Sequence, residues 1–114
     1  WRSLGDTVQA MQDHTYTDPL KEPGLADITA HVDFEAITRA TPSGFSRVTP
    51  QGIFLERLGI TPRAEQLAKN LSGQALDDLI AAHRRLTHPH EMGSLFKAIA
   101  LFPENGQPPA GLET

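Results

Sequence analysis

The stretch ADITAHVDFEAI, residues 26–37, decides which fold the sequence predicts. In residues 27–32 apolar and polar side chains alternate, which is the period-2 pattern of a β-strand. From Phe34 onward the apolar residues recur at helical spacing, and Asp33 stands where a helix N-cap belongs. The stretch therefore predicts a strand that leads directly into a helix, as in an α/β fold.

The same patterns predict further elements along the chain. They are a short helix around residues 5–13, strands at 45–51 and 94–102, and helices that begin near residues 52, 61 and 72. Residues 94–102 are almost continuously apolar, so we expect this strand to be buried on both faces. Residues 103–114 contain three prolines and two glycines and are expected to form a flexible tail.

Composition excludes several classes of function. The net charge is -4 and no block of like charge occurs, so neither a nucleic-acid partner nor membrane attachment through basic residues is predicted. There are no cysteines, which excludes disulfides, thiolate zinc sites and cysteine nucleophiles. No apolar run approaches the roughly 18 residues that a membrane-spanning helix needs.

The start of the chain suggests a piece of a longer protein. It opens on Trp1 without an initiator methionine, and its first residues have no apolar core of the secretory type. Processing of a longer precursor would give the same start. Three predicted strands are also few for a stable sheet, and a buried strand needs neighbours on both sides. We therefore expect further strands of the sheet to come from outside this sequence.

His31 and Asp33 are the first candidates for chemistry. Two positions apart in a strand, they share a face, so they could act as a general base and the carboxylate that orients it. The alternative is a surface histidine followed by an N-cap aspartate, which is common before a helix. The residues alone favour this alternative.

Other polar residues are weaker candidates. The loop THPHEMGS, residues 87–94, offers His88, His90 and Glu91, but their spacing matches no standard metal motif, and no metal site is predicted. Lys97 is a single charge in an apolar strand, where it either extends to the sheet edge or contacts a substrate. His83 falls on the apolar face of a helix and is expected to pack there.

Four stretches in series resemble one family. They are GDTVQAMQDHTYTDPL (5–20), PGLADITAHVDFEAI (23–37), TPQGIFLERLGI (49–60) and RLTHPHEMGSLFKAIAL (85–101). In order and approximate spacing they are similar to the C-terminal third of the MidA-type S-adenosyl-L-methionine-dependent methyltransferases. The mitochondrial members of that family are complex I assembly factors that act as protein arginine methyltransferases.

The resemblance implies a fold and a cofactor. The fold would be the C-terminal portion of a class I, Rossmann-like methyltransferase, over residues 1–102, with a helical insertion at about 52–86 between the last two strands. The cofactor would be S-adenosyl-L-methionine, bound mostly by residues upstream of this sequence, so that this part alone would be inactive. This sequence departs from the family pattern at residues 37–52, ITRATPSGFSRVTPQG, which are fewer than the family usually has there.

The resemblance also implies roles for residues and a protein substrate. His31 and Asp33 would line the substrate side beyond their strand, where α/β sheets bind ligands. Carboxylates are the expected partners of a methyl-accepting arginine. Asp33 would be the main one and Glu91 a distant second. Substrate contacts from Gln51, Gly52 and Lys97 are expected as well.

Partners and location follow from the same resemblance. The substrate would be a protein, for example a subunit of respiratory complex I, and a homodimer is kept as an option. The location would be the bacterial cytoplasm, or the mitochondrial matrix in a eukaryote. A second hypothesis makes residues 52–86 a docking surface for a protein partner, on a methyltransferase fold without catalysis.

Overall fold

A computed structural model describes residues 8–13, 15–18, 20–21 and 24–113 of the chain. The chain divides into two compact units. The sheet unit comprises residues 1–40 and the helical unit comprises residues 41–114. Strands and helices occur in both units, so the predicted α/β class is confirmed. Among the described residues, no helix is both long and apolar enough to cross a membrane.

The sheet unit contains a three-stranded antiparallel sheet. The strands are β1 (Val8–Gln12), β2 (Thr15–Thr17) and β3 (Asp27–Ala30), and helix α1 (Phe34–Ala40) follows them in the chain. β1 lies in the centre and pairs with both other strands. Ala10 on β1 lies opposite Thr17 and Ile28 and is fully buried.

Two predictions in the sheet unit need correction. The prediction of a helix around residues 5–13 is wrong over the described part of that range. There, Val8–Gln12 is a strand that hydrogen-bonds to a neighbouring strand on each side. Partners distant in sequence fix this strand, and a local pattern does not contain them. The strand predicted at 27–32 ends at Ala30, and all four residues of β3 are exposed, including Ile28.

The helical unit contains three longer helices, flanked along the chain by four short strands and one short helix. Its elements are β4 (Gly44–Phe45), β5 (Thr49–Pro50), α2 (Gln51–Arg57), α3 (Ile60–Ala68), α4 (Gly73–Thr87), α5 (Met92–Leu95), β6 (Lys97–Ala98) and β7 (Leu101–Phe102). β4 pairs with β7 and β5 pairs with β6, both antiparallel. Between these ladders, buried Ser46 exchanges two hydrogen bonds of 2.9 Å with the backbone of Ala100.

The predicted strand at 94–102 is only partly correct. α5 occupies its start, and the strand survives as two pieces of two residues each, β6 and β7. The expected burial on both faces is wrong, because Leu95 is 75% exposed and Leu101 is 49% exposed. A short apolar run does not distinguish a strand from a helix, and here the run contains both.

The predicted helices of the middle segment are confirmed as α2, α3 and α4. Gly59 separates α2 from α3 with a left-handed φ of 90°, a conformation that glycine adopts without steric cost. α3 begins at Ile60, so Thr61 lies inside the helix and does not cap it. Ser72 stands at the N-cap position of α4, as predicted.

The end of the chain packs against α2. Leu112 is only 6% exposed, and the Arg57 Nη1 group donates a hydrogen bond of 3.2 Å to the Gly111 carbonyl oxygen. Gly111 has a φ of 82°, and a Cβ atom there would lie 3.2 Å from the Leu58 side chain. The segment predicted as a flexible tail thus ends in a turn that is seated on a helix.

Candidate functional site

Asp33 caps α1. Its Oδ1 atom accepts a hydrogen bond of 3.1 Å from the backbone N–H of Ala36, and its carbonyl oxygen accepts one of 3.2 Å from Ile37. The first contact satisfies an N–H group that the first turn of a helix leaves without a partner, and the second is the first regular hydrogen bond of the helix. The capping role that the sequence predicted for Asp33 is confirmed.

His31 lies in the connection between β3 and α1. The side chain is exposed, whereas Asp33 is half-buried at the start of the helix. Both residues follow the last residue of β3, Ala30, so they stand at the carboxyl end of that strand. The predicted position at this end of the strand is confirmed, but the expectation that both residues share a face of the strand is wrong, because the strand ends before them. The chemical role of the pair stays a prediction.

Gln51 joins three segments of the helical unit. Its side-chain Nε2 group donates a hydrogen bond of 3.0 Å to the carbonyl oxygen of Leu86, near the end of α4. Its backbone N–H donates a bond of 2.9 Å to the carbonyl oxygen of Phe96. The first residue of α2 is therefore tied to the end of α4 and to the segment that enters β6.

Two glycines bring the same segments into backbone contact. A Cβ atom on Gly52 would lie 2.4 Å from the carbonyl oxygen of Thr87, and one on Gly93 would lie 2.0 Å from it. Neither separation is sterically allowed, so only glycine fits at these positions. We call Gln51, Gly52, Thr87 and Gly93 the junction, where the start of α2, the end of α4 and α5 meet.

Glu91 and Lys97 line an open groove beside the junction. The groove has a volume of about 600 Å³. Its other lining residues are Pro89, His90, Met92, Ser94 and Leu95. The Glu91 Oε2 atom forms an ion pair of 3.2 Å with Arg84 Nε, and the Lys97 ammonium group donates a hydrogen bond to the Ser94 carbonyl oxygen.

A second groove of about 500 Å³ adjoins the first along Pro89 and Ser94, which line both. Gly52 lies on its wall, together with Glu56 and Arg57 of the same helix. The four substrate-contact candidates predicted in the helical unit therefore lie at one corner of it. Glu91 and Lys97 are in the first groove, Gly52 is in the second, and Gln51 is next to it in the chain.

Sequence reasoning missed a hydrogen-bonded cluster on three helices. The Thr61 hydroxyl donates to Glu56 Oε1 at 2.5 Å and lies 2.9 Å from His83 Nε2. The His83 side chain is 29% exposed, so it packs on its helix as predicted. The apolar periodicity of α4 indicated the face on which His83 lies. No local pattern in the sequence indicated that Glu56 and Thr61 would be its partners.

In the part of the chain that the structure describes, no group of three or more His, Cys, Asp or Glu side chains is placed to hold a metal ion. His88 and His90 stack at a centroid distance of 5.4 Å, and the ring nitrogen Nδ1 of His88 accepts a hydrogen bond from the His90 backbone. This contact organises the loop between α4 and α5.

Comparisons with known proteins agree on one family. Residues 2–51 match the family described as "Putative S-adenosyl-L-methionine-dependent methyltransferase". The mitochondrial protein arginine methyltransferase NDUFAF7 homolog of Drosophila melanogaster is 38% identical over 103 residues, which cover 86% of this chain and 23% of that protein. Human NDUFAF7 is 34% identical over 101 residues, which cover 86% of this chain and 23% of that protein.

Two solved structures of proteins from Burkholderia thailandensis, both members of one superfamily, have folds similar to that of this chain. An uncharacterized member has a TM-score of 0.77 at 34% identity and is matched over 86% of this chain and 27% of its own. The other, solved with S-adenosyl-homocysteine bound, has a TM-score of 0.71 at 33% identity, over 86% of this chain and 26% of its own. The resemblance to the MidA-type methyltransferases is confirmed.

The MidA-type family uses S-adenosyl-L-methionine according to its description, so the cofactor predicted from the resemblance is confirmed for the family. The chain spans about a quarter of the length of these MidA-type relatives. The position that a Cβ atom would take on Gly52 or on Gly93 is filled by the backbone of Thr87, so these two glycines allow close packing of backbones.

Proposed function

We propose that this chain is the C-terminal part of a class I methyltransferase that transfers a methyl group to an arginine side chain of a protein. The observation that carries the proposal is the similarity over 86% of the chain to proteins named as protein arginine methyltransferases. The match to the family over residues 2–51 supports it, because this range includes both His31 and Asp33.

The arrangement of strands supports the predicted helical insertion. β5 and β6 pair with each other, although α2, α3, α4 and α5 all lie between them in the chain. The chain therefore leaves one strand, forms four helices and returns to the neighbouring strand. The first three of these helices correspond to the proposed insertion at about 52–86. In the proposed fold these would be the last two strands of the methyltransferase sheet.

The proposed chemistry begins with the acceptor. S-adenosyl-L-methionine, when bound by the larger protein, supplies the methyl group on a sulfonium. A guanidinium is protonated in water and is a poor nucleophile. Asp33 would hold and neutralise it, and His31 would accept a proton. A carboxylate accepts several hydrogen bonds, so Asp33 can cap α1 and bind a guanidinium at once.

In the helical unit, taken by itself, we propose Glu91 and Lys97 as substrate contacts. Glu91 would offer a carboxylate, and Lys97 a polar contact, from the open groove of about 600 Å³. Gln51 and Gly52 would place the start of α2 beside the substrate. Their contacts with Leu86 and Thr87 make them positioning residues as well.

Partners and location are part of the proposal. The relatives carry mitochondrial names, which supports a mitochondrial location in a eukaryote, with the matrix as the proposed compartment. The cytoplasm is the proposed location in a bacterium, on the basis of the family resemblance. A subunit of respiratory complex I is the proposed substrate on the basis of the family resemblance. A homodimer is proposed as an alternative to the monomer, and size-exclusion chromatography with light scattering distinguishes the two.

A second function is supported by a separate observation. Between α3 and α4 lies an open groove of about 260 Å³, lined mainly by Ala64, Ala68, Leu79 and Ile80. Ile80 is 57% exposed. An apolar groove between helices suits a partner protein, so a docking module without catalysis is the alternative function.

Calorimetric titration of S-adenosyl-homocysteine distinguishes the two functions. The probe is titrated into this chain and, in parallel, into the full-length gene product. We expect binding by the longer protein alone, because the family resemblance implies that most cofactor-binding residues lie upstream of this sequence. If the longer protein does not bind the probe, the methyltransferase proposal fails and the docking module is favoured.

A further inference from the structure

Arg84 forms an ion pair with Glu91, a residue that lines the groove of about 600 Å³. Arg84 lies in the last turn of α4, and Glu91 is the N-cap residue of α5. The loop between them folds back because the His88 carbonyl oxygen accepts hydrogen bonds from the N–H groups of Glu91, at 2.9 Å, and Gly93, at 3.1 Å. The backbone on both sides of the ion pair is thereby fixed.

We infer that Glu91 is the carboxylate of a guanidinium-binding subsite, and that Arg84 occupies this carboxylate until a substrate arginine replaces it. The inference deepens the proposed function, on which its ligand class rests. The chain itself shows that a guanidinium reaches this carboxylate, since Arg84 Nε lies 3.2 Å from Glu91 Oε2.

The ion pair is suited to exchange. The side chains of Arg84 and Glu91 are 61% and 39% exposed, and exposed pairs hold each other weakly. The contact on the Arg84 side is made by Nε, whereas an incoming guanidinium can present two N–H groups to both carboxylate oxygens. A substrate arginine could therefore displace Arg84 at small cost.

The groove around Glu91 suits an arginine stem. Pro89, Met92 and Leu95 provide apolar walls, against which the methylene groups of a long cationic side chain pack favourably. Lys97 also lines the groove, and its positive charge opposes a cation. Lys97 directs its ammonium group to the Ser94 carbonyl oxygen, which reduces this opposition. We therefore expect weak binding that depends on Glu91.

The test is a titration of N-acetyl-L-arginine amide into this chain, followed by backbone amide NMR shifts. In Arg84→Gln the competing guanidinium is gone, so the probe should bind about two- to fivefold more tightly, as expected from the strength of exposed ion pairs. Arg85→Gln is the matched control, because it removes the same charge from the next, exposed position of α4. Its affinity should equal that of the unmodified chain.

Glu91→Gln should abolish saturable binding, and adding Arg84→Gln to it should restore nothing. N-acetyl-L-lysine amide should bind more weakly than the arginine probe, because an ammonium lacks the planar fork. Unchanged circular dichroism spectra confirm that the variants fold. Equal effects of Arg84→Gln and Arg85→Gln, or unchanged binding by Glu91→Gln, would overturn the inference.

This test is independent of the cofactor. It measures arginine binding by this chain, whereas the methyltransferase proposal is tested by S-adenosyl-homocysteine binding to the longer protein. A failed arginine titration removes Arg84 and Glu91 from the substrate site and leaves the methyltransferase proposal to its own test. A failed cofactor titration, with arginine binding intact, removes the catalytic role and leaves the guanidinium subsite.

Discussion

The sheet unit and the helical unit are stabilised in different ways. In the sheet unit the described strands are joined by backbone ladders, and Ala10 at the centre is the buried hydrophobic residue. In the helical unit the closest packing is between backbones, at Gly52 and Gly93 against Thr87. Among the described residues, neither unit has a large side chain that is fully buried. Both units therefore depend on hydrogen-bonded backbone more than on a large apolar core.

The difference predicts where each unit is vulnerable. Strand ladders tolerate changes of exposed side chains, because the backbone makes the contacts. The junction does not tolerate added volume, because its glycines face a carbonyl oxygen that is held in a helix. Substitutions in the helical unit should therefore have the largest effects, and substitutions in the sheet unit the smallest.

Gly93→Ala should have the largest effect on stability. The new Cβ atom would lie 2.0 Å from the carbonyl oxygen of Thr87, so α5 must move away from α4. We expect a loss of about 3 kcal/mol in the free energy of unfolding, at the upper end of the cost of overpacking. Urea unfolding followed by circular dichroism measures the loss.

The control for Gly93→Ala is Ala81→Ser, which adds one atom at an exposed position of α4. Its effect should stay within about 0.5 kcal/mol. If both variants unfold at the same urea concentration, the junction is not the vulnerable point of the helical unit.

Leu112→Ala should have the next largest effect. Leu112 is 6% exposed, and shortening a buried leucine removes apolar contacts and leaves a cavity. We expect a loss of about 2 kcal/mol, the low end of the range for this change, since the residue lies near the end of the chain. Thermal unfolding measures this loss as a lower unfolding temperature.

Leu95→Ala serves as the comparison for Leu112→Ala, because Leu95 is 75% exposed and should cost less than about 0.5 kcal/mol. Equal losses at the two positions would mean that the final turn does not stabilise α2.

In the sheet unit, two variants of Asp33 distinguish its capping role from its proposed role in catalysis. Asp33→Ala removes the oxygen that accepts the Ala36 N–H and should cost about 1 kcal/mol. Asp33→Asn keeps a capping oxygen and should cost only a few tenths of that, but it removes the negative charge proposed to hold the guanidinium. In the longer protein, Asp33→Asn should therefore retain its unfolding temperature and lose methyl transfer to an arginine peptide. Retained transfer would leave Asp33 with capping alone.

Periodicity in the sequence was enough to predict α1, α2, α3 and α4. α1 and α4 follow from apolar spacing with Asp33 and Ser72 at their starts, because capping and amphipathicity are local properties. The strand Val8–Gln12 could not be predicted, since its conformation depends on pairing with β2 and β3. The break between α5 and β6 could not be predicted either, because it depends on Gly93 meeting the end of α4.

The candidate site shows the same limit. A strand followed by an N-cap was sufficient to place His31 and Asp33 at the end of β3. Glu91 was recognised as a carboxylate in a loop, but its partner Arg84 depends on how the loop folds back from α4. The Glu56–Thr61–His83 cluster joins three helices. Residue spacing along a single helix does not predict how that helix packs against the others.

The hairpin of α3 and α4 can act as a lever. α4 has 15 residues and is about 22 Å long at 1.5 Å per residue. One end lies at the junction, and the other end, with the turn at residues 69–72, is exposed. A rotation of about 5° at the junction would move this tip by about 2 Å over a helix of that length. A spectroscopic label at the tip would therefore magnify angular changes at the junction that are too small to detect locally.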